Sequence, residues 1–236
     1  AGFAWWYDQF DGRKQRPDAY ALDQVRSGNT RLIDVVVHPV SWLSIFYDES
    51  NTHDPPSSIK LNQDGTPTQA VEFAKELLKR ELKILAFEQP VDAVDLEGMR
   101  HVTAESGVPV FADEAVQSPS DVIELLRYRA AHGVNVKIQK SGMVGALEIK
   151  SICQAAGLQL MFGCMLESKI GQSAAVHIGC GTNAFGIFDL DSDLLVGDQP
   201  VKGGAERHGA MLKVSDRPGL GCEIVESELQ AFGEID

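Results

Sequence analysis

Three apolar segments in the middle of this chain each run into a single ionisable residue, at nearly even steps. Ile84-Leu85-Ala86-Phe87 meets Glu88, Val110-Phe111-Ala112 meets Asp113, and Val134-Asn135-Val136 meets Lys137. The steps are 25 and 24 residues, enough for one strand and one helix each. Strands that stay apolar up to one terminal charge belong to a parallel sheet covered on both faces. In a closed α/β barrel, that C-terminal rim carries the chemistry. Two carboxylates beside a lysine at one rim read as a divalent-metal site with an adjacent general base.

From about residue 57 onward the chain alternates strand and helix. Thr66-Pro67-Thr68-Gln69 combines a cap, a first-turn proline and a capping-box glutamine. It opens a helix with Val71, Ala74, Leu77 and Leu78 on its apolar face. A second helix carries Val94, Leu96, Met99 and Val102 and stops at Gly107. Ser118-Pro119-Ser120-Asp121 repeats the start signal before Val122, Leu125 and Leu126, with Gly133 as the stop. Further helices run from about Gly145 to Ala156 and after Glu167, the latter with Ile170, Ala174, Ala175 and Ile178 on one face. Strands are expected near 59–62, 84–88, 110–114, 134–138, 159–164 and 185–190, making a parallel sheet with right-handed crossovers.

An eight-fold barrel needs two more strands, and these would come from residues 1–56. Leu32–Val37 and Trp42–Tyr47 are the candidates, although no strand–helix rhythm is legible there. Lys202-Gly203-Gly204 and Asp216-Arg217-Pro218-Gly219-Leu220-Gly221 punctuate short extended pieces, a hairpin and tail expected to pack outside the barrel. The chain thus divides into a diverged N-terminal segment (1–56), a barrel domain (57–224) and a tail (225–236).

Composition excludes several function classes. A formal charge of −13 disfavours nucleic acid and anionic membranes as partners. No apolar run approaches a membrane span, and no basic-then-apolar signal pattern opens the chain. Cys153, Cys164, Cys180 and Cys222 lack CxxC spacing and read as reduced cysteines of a cytoplasmic protein. A small-molecule partner fits this balance, and a homo-oligomer is compatible with it.

Phe87-Glu88-Gln89-Pro90, Ala112-Asp113-Glu114 and Val134-Asn135-Val136-Lys137-Ile138-Gln139-Lys140-Ser141-Gly142 resemble three signature strands of the enolase superfamily, in particular its muconate-lactonizing and dipeptide-epimerase branch. Leu160–Ser168 and Phe188-Asp189-Leu190-Asp191 are similar to that branch's seventh and eighth strands, and Pro218-Gly219-Leu220-Gly221 resembles its C-terminal tail. The likeness covers about residues 60–224 in order. It implies an enolase-type (β/α) barrel, here incomplete, and a racemase or epimerase acting at the α-carbon of a carboxylate substrate such as a dipeptide. It further implies Mg²⁺ on three strand-end carboxylates, of which Glu88 and Asp113 match two. Lys137 matches the base on the sixth strand, and Asp189 with Asp191 matches the pair that receives the substrate's α-ammonium group. A lysine beside a divalent cation at a partly dry rim is expected to have a lowered pKa.

Asp189 and Asp191 lie two apart, so on a strand both would project to one face. Asp193 reads as solvent-facing, Glu114 as turned away from Asp113, and Lys140 as a structural ion pair or a solvent-facing lysine.

Two positions depart from the resemblance. The third metal carboxylate falls at Lys60, within Ile59-Lys60-Leu61-Asn62-Gln63, and an ammonium there would oppose Mg²⁺. Asp64 lies four residues further on. The paired lysines of the second strand, and the capping domain, have no counterpart before residue 57. Lys60 could instead neutralise Glu88 and Asp113 in an internal salt-bridge cluster. A catalytically silent barrel remnant, and a cycloisomerase or dehydratase of the same superfamily, are therefore the alternative readings.

Overall fold

The computed structural model describes residues 44–47, 66–79, 83–197, 199–209 and 211–229. Its centre is a six-stranded sheet in simple sequential order, β1 (Ser44–Tyr47), β2 (Ile84–Glu88), β3 (Val110–Ala112), β4 (Gly133–Val136), β5 (Gln159–Gly163) and β6 (Ile187–Asp189). Strands β2 to β6 are parallel neighbours. Strand β1, within the candidate Trp42–Tyr47, pairs antiparallel with β2, with Ser44 opposite Glu88, so this segment is not a further parallel barrel strand. The candidate strands at 59–62 and Leu32–Val37 lie outside the described residues.

Helices α1 (Pro67–Lys79), α2 (Leu96–Glu105), α3 (Pro119–Tyr128), α4 (Ile138–Ala156) and α5 (Lys169–Thr182) alternate with the strands. The start signals form as their chemistry requires. Thr66 N–H donates to Gln69 Oε1 at 3.0 Å, and Ser118 N–H donates to Asp121 Oδ2 at 2.8 Å. The stop after α3 is Arg129, in the left-handed region at φ 52°; Gly133 instead opens β4. Val94 lies before α2 and is 89% exposed, so it is no part of that helix's apolar face. Helix α4 breaks at Gly142 (φ 67°, ψ 175°), separating one turn after Lys137 from the long helical stretch that ends at Gly157.

Strand alternation sorts the side chains. Val110, Ala112, Val134, Val136, Leu160 and Phe162 face the helices and join the main core. Ala86, Phe111 and Met161 form a smaller cluster on the opposite face. Continuing that second face by two residues along each strand leads to Glu88, Asp113, Asn135 and Gly163. All of them end at the same edge of the sheet. Gly133 belongs to this face for a steric reason: a Cβ there would sit 2.4 Å from the Phe111 ring.

Beyond a one-turn α6 (Ser192–Leu195), the chain forms two small antiparallel pairs. Strand β7 (Val201–Gly203) pairs with β10 (Cys222–Ile224), and β8 (Glu206–His208) with β9 (Met211–Lys213). Ala205 N–H, between them, donates to the buried Ser173 Oγ on α5 at 2.9 Å. No described helix is long and apolar enough to cross a membrane.

Candidate active site

Glu88, Asp113 and Lys137 come together at the ends of β2, β3 and β4, as their even spacing requires. Glu88 and Asp113 are 6% and 2% exposed. Lys137 Nζ donates to Asp113 Oδ2 at 2.6 Å, and Lys140 Nζ donates to Asp113 Oδ1 at the same distance. Both carboxylate oxygens therefore hold an ammonium. Burial works to raise the Asp113 carboxyl, but Lys140 and Lys137 overcome it and hold the group below the usual carboxylate range.

Lys137 shows the reciprocal effect. Burial pulls its ammonium down, yet the carboxylates of Asp113 and Glu88 prevail and hold it above the ordinary lysine value. The expected lowering rested on a neighbouring divalent cation, whereas the protein's own groups push the other way. Lys140 forms the structural pair: it is nearly buried and also donates to the carbonyls of Asp113 (2.6 Å) and Asn135 (2.9 Å). Burial outweighs its carboxylate neighbour, and its pKa is lowered. Half-buried Glu114 stays within electrostatic reach of Asp113, and burial followed by that carboxylate raises its pKa.

Two residues without an assigned role in the sequence shape this cluster. Asn135 donates from Nδ2 to Glu88 Oε1, while its buried Oδ1 has no hydrogen-bond partner among the described residues. Gly163 makes room for it, since a Cβ there would lie 2.6 Å from the Asn135 amide. Gln89 takes a left-handed backbone at φ 37° ahead of Pro90. That conformation is strained for a non-glycine residue, and here it is fixed by three hydrogen bonds. Gln89 Oε1 accepts from Asp113 N–H (2.9 Å) and Ala115 N–H (3.1 Å), and Nε2 donates to Val91 O (3.0 Å). The side chain thereby sets the backbone that carries Asp113. Its only sequence signal is its place in Glu88-Gln89-Pro90.

The other half of the rim is built on β5 and β6. Register places Asp189 beside Gly163. The strand ends there, and Asp191 sits at φ −106°, ψ 5° as the residue preceding α6. Asp191 therefore lies beyond the strand that carries Asp189, and both stand within electrostatic reach of Cys164. The Cys164 thiol donates to Asp191 Oδ1 at 3.3 Å, and after burial these two aspartates are the main causes of its raised pKa. Asp191 is itself pushed up, chiefly by burial. Asp193 is not solvent-facing: it accepts from Gln172 and from Arg207 of β8.

Glu167, between β5 and α5, was not among the expected site residues. It is 6% exposed, accepts from Gln139 through Oε2, and its buried Oε1 has no hydrogen-bond partner among the described residues. Burial raises it to about 7. Lys60 and Asp64 lie outside the described residues. All four cysteines are free, with Cys153 buried and Cys180 exposed.

Glu88 and Asp113 offer buried hard oxygen donors of the kind Mg²⁺ prefers. Among the described residues no group of three His, Cys, Asp or Glu side chains is placed to hold a metal. The donors suit the ion in kind, with lysine nitrogens on the Asp113 oxygens it would use.

Comparison with known proteins agrees with this geometry. The chain is 38% identical over 159 residues to the L-Ala-D/L-Glu epimerase of Thermotoga maritima, covering 67% of this chain and 46% of that protein. It is 38% identical over 170 residues to the L-Ala-D/L-Glu epimerase of Clostridium acetobutylicum, covering 72% and 48%. It therefore spans about half the length of the curated relatives it matches. Among solved structures, the dipeptide epimerase of Enterococcus faecalis V583, complexed with Mg and the dipeptide L-Leu-L-Tyr, superposes with a TM-score of 0.63 at 34% identity. That likeness covers 66% of this chain and 45% of the other. The parallel strands β2 to β6 with their helices correspond to part of an enolase-superfamily barrel, and the family profile described as enolase C-terminal domain-like matches residues 54–228. By its sheet, its strand-end charges and this match, the chain belongs to the enolase C-terminal domain-like family.

Proposed function

We propose that this chain carries part of the catalytic rim of a Mg²⁺-dependent epimerase that acts on the α-carbon of a dipeptide. The observation that carries the reading is the buried cluster of Glu88, Asp113 and Lys137 at adjacent strand ends, with Lys137 2.6 Å from Asp113. Its relatedness to dipeptide epimerases supports the choice of substrate. In this reading the catalytic unit is the barrel domain of 57–224, between a separate segment (1–56) and a tail (225–236).

Glu88 and Asp113 would hold the metal. When bound, Mg²⁺ would supply charge that stabilises an enediolate of the substrate carboxylate and would engage the two carboxylates that hold Lys137 protonated. Lys137 removes or returns the α-proton on one face. Asn135 and Gln89 keep Glu88 and Asp113 at their stations. Asp189 and Asp191 receive the α-ammonium group, whose charge offsets two carboxylates brought together around Cys164.

The test is incubation of the full chain with Mg²⁺ and L-Ala-L-Glu in deuterated water. Deuterium should enter at the α-carbon of the C-terminal residue, and Lys137→Met should stop it. Absence of exchange with every dipeptide tried would overturn the reading.

A second reading, a barrel that keeps the fold without turnover, draws on the two ammonium groups that saturate Asp113. Calorimetric titration separates the two. Tight one-to-one Mg²⁺ binding rules out the saturated cluster.

A further inference from the structure

The C-terminal hairpin reaches back to the rim through one side chain. Arg207, in the middle of β8, donates from Nε to Asp193 Oδ2 at 2.7 Å and from Nη2 to Asp193 Oδ1 at 2.7 Å. Its Nη2 also donates to the carbonyl of Leu190. The same carbonyl accepts from Gln172 Nε2 of α5 at 3.1 Å, and Gln172 also donates to Asp193 Oδ1 at 2.6 Å. Leu190 is the residue between Asp189 and Asp191. Two donors from separate elements therefore fix the peptide plane that joins Leu190 to Asp191, and with it the direction in which Asp191 leaves the backbone.

The anchoring on the far side is firm. Gln172 is 1% exposed, and the hairpin is tied to α5 by the bond from Ala205 to Ser173. Ser192 completes the frame by donating to Met165 O at 2.5 Å across the β5–β6 gap. The charges are arranged to the same end. Asp193 takes up the guanidinium in a two-point fork, which holds β8 against the residues that follow β6.

We propose that Arg207 is a positioning residue for an ammonium-binding pocket formed by Asp189 and Asp191, acting by latching the Leu190 carbonyl and Asp193 to the C-terminal hairpin. The proposal rests on the reading that these two aspartates receive the substrate's α-ammonium group. It makes the C-terminal hairpin a working part of the rim. A lysine at 207 would keep the charge but lose the fork.

The experiment is calorimetric titration of the full chain, in Mg²⁺ buffer, with L-Ala-L-Glu and with N-acetyl-L-Ala-L-Glu. The two ligands differ in whether a charged amine is present. Wild type should prefer the free amine by about tenfold or more, and Arg207→Ala should bring that preference close to unity by weakening only the free-amine ligand. Arg207→Lys and Asp193→Asn should narrow it in the same direction, which covers the case of a poorly folding alanine variant. Equal weakening of both ligands, or an unchanged preference in the Arg207 variants, overturns the latch. Asp191→Asn separates the two levels of the argument. If it removes the preference while the Arg207 variants keep it, the ammonium pocket stands and the latch fails. If wild type shows no preference, or Asp191→Asn retains it, the pocket reading fails and the latch falls with it.

Discussion

On the β2–β4 side of the rim, Asp113 has an ammonium on each oxygen and is held below the carboxylate range despite its burial. On the β5–β6 side, Asp191 and Glu167 are pushed above that range, burial being the leading cause for both. Both sides bury carboxylates at the ends of parallel strands. They differ in where the compensating cations stand. Lys137 and Lys140 occupy Asp113 directly, whereas Arg207 bonds Asp193 and the Leu190 carbonyl, and the Cys164 thiol donates to Asp191. Asp113 is charge-compensated from within, and in the proposed reading the β5–β6 half receives the ammonium group of a ligand. A ligand carrying an ammonium at one end and a carboxylate at the other matches that division.

The sharpest way to break this comparison is to remove Lys137. Lys137→Met should lower α-deuterium exchange about 10³-fold, the scale of a general acid–base group. Exchange that persists near wild type would place the chemistry elsewhere on the rim. Next comes Lys140, which answers a structural need. Lys140→Met leaves the buried Asp113 with a single cation and should destabilise the fold by about 3 kcal/mol in chemical denaturation. A loss below about 0.5 kcal/mol would mean that Lys137 alone is enough to compensate Asp113.

Gly163 tests the seam between the two halves. Gly163→Ala drives a methyl group into the Asn135 amide and should cost about 2 kcal/mol, while also loosening Glu88. A thermal melt unchanged from wild type would show that Asn135 can move aside freely.

The smallest effect concerns Glu167. Its carboxyl is raised from 4.5 to about 7 in the folded chain, so the folded state binds the proton more tightly than the unfolded one. The corresponding stability is fully present below about pH 4.5 and is lost as pH rises through about 7. Glu167→Gln should flatten the decline in melting temperature across that window. An equally steep decline in the variant would assign it to another group.

The relation between sequence and structure differs by region. The β2–β4 half was legible because strand period and step length place Glu88, Asp113 and Lys137 on one face and one edge whatever the loops do. The helix starts were legible because Thr66 and Ser118 meet their partners within a few residues of chain. The setting of Asp193 is not legible locally, because its partner, Arg207, is 14 residues away on a hairpin whose docking nothing local specifies. Cys164 and Asp191 are 27 residues apart, and Gln139 and Glu167 are 28 apart, so the same holds for those contacts. Asp189 and Asp191 would share a strand face only if period-two alternation continued past Asp189, where β6 ends.

The sequence alone determined the alternation of strand and helix, the parallel sheet, the face each strand presents and the edge at which Glu88, Asp113 and Lys137 meet. These follow from periodicity and hydrophobic burial, which act over short spans of chain. Only the tertiary structure decided which charges answer which. It put two lysines on Asp113, turned Gln89 into the left-handed region, gathered two aspartates around Cys164 and brought Arg207 back to the Leu190 carbonyl. The physical reason is that electrostatic compensation depends on distance and burial in the folded chain, and spacing along the sequence specifies neither.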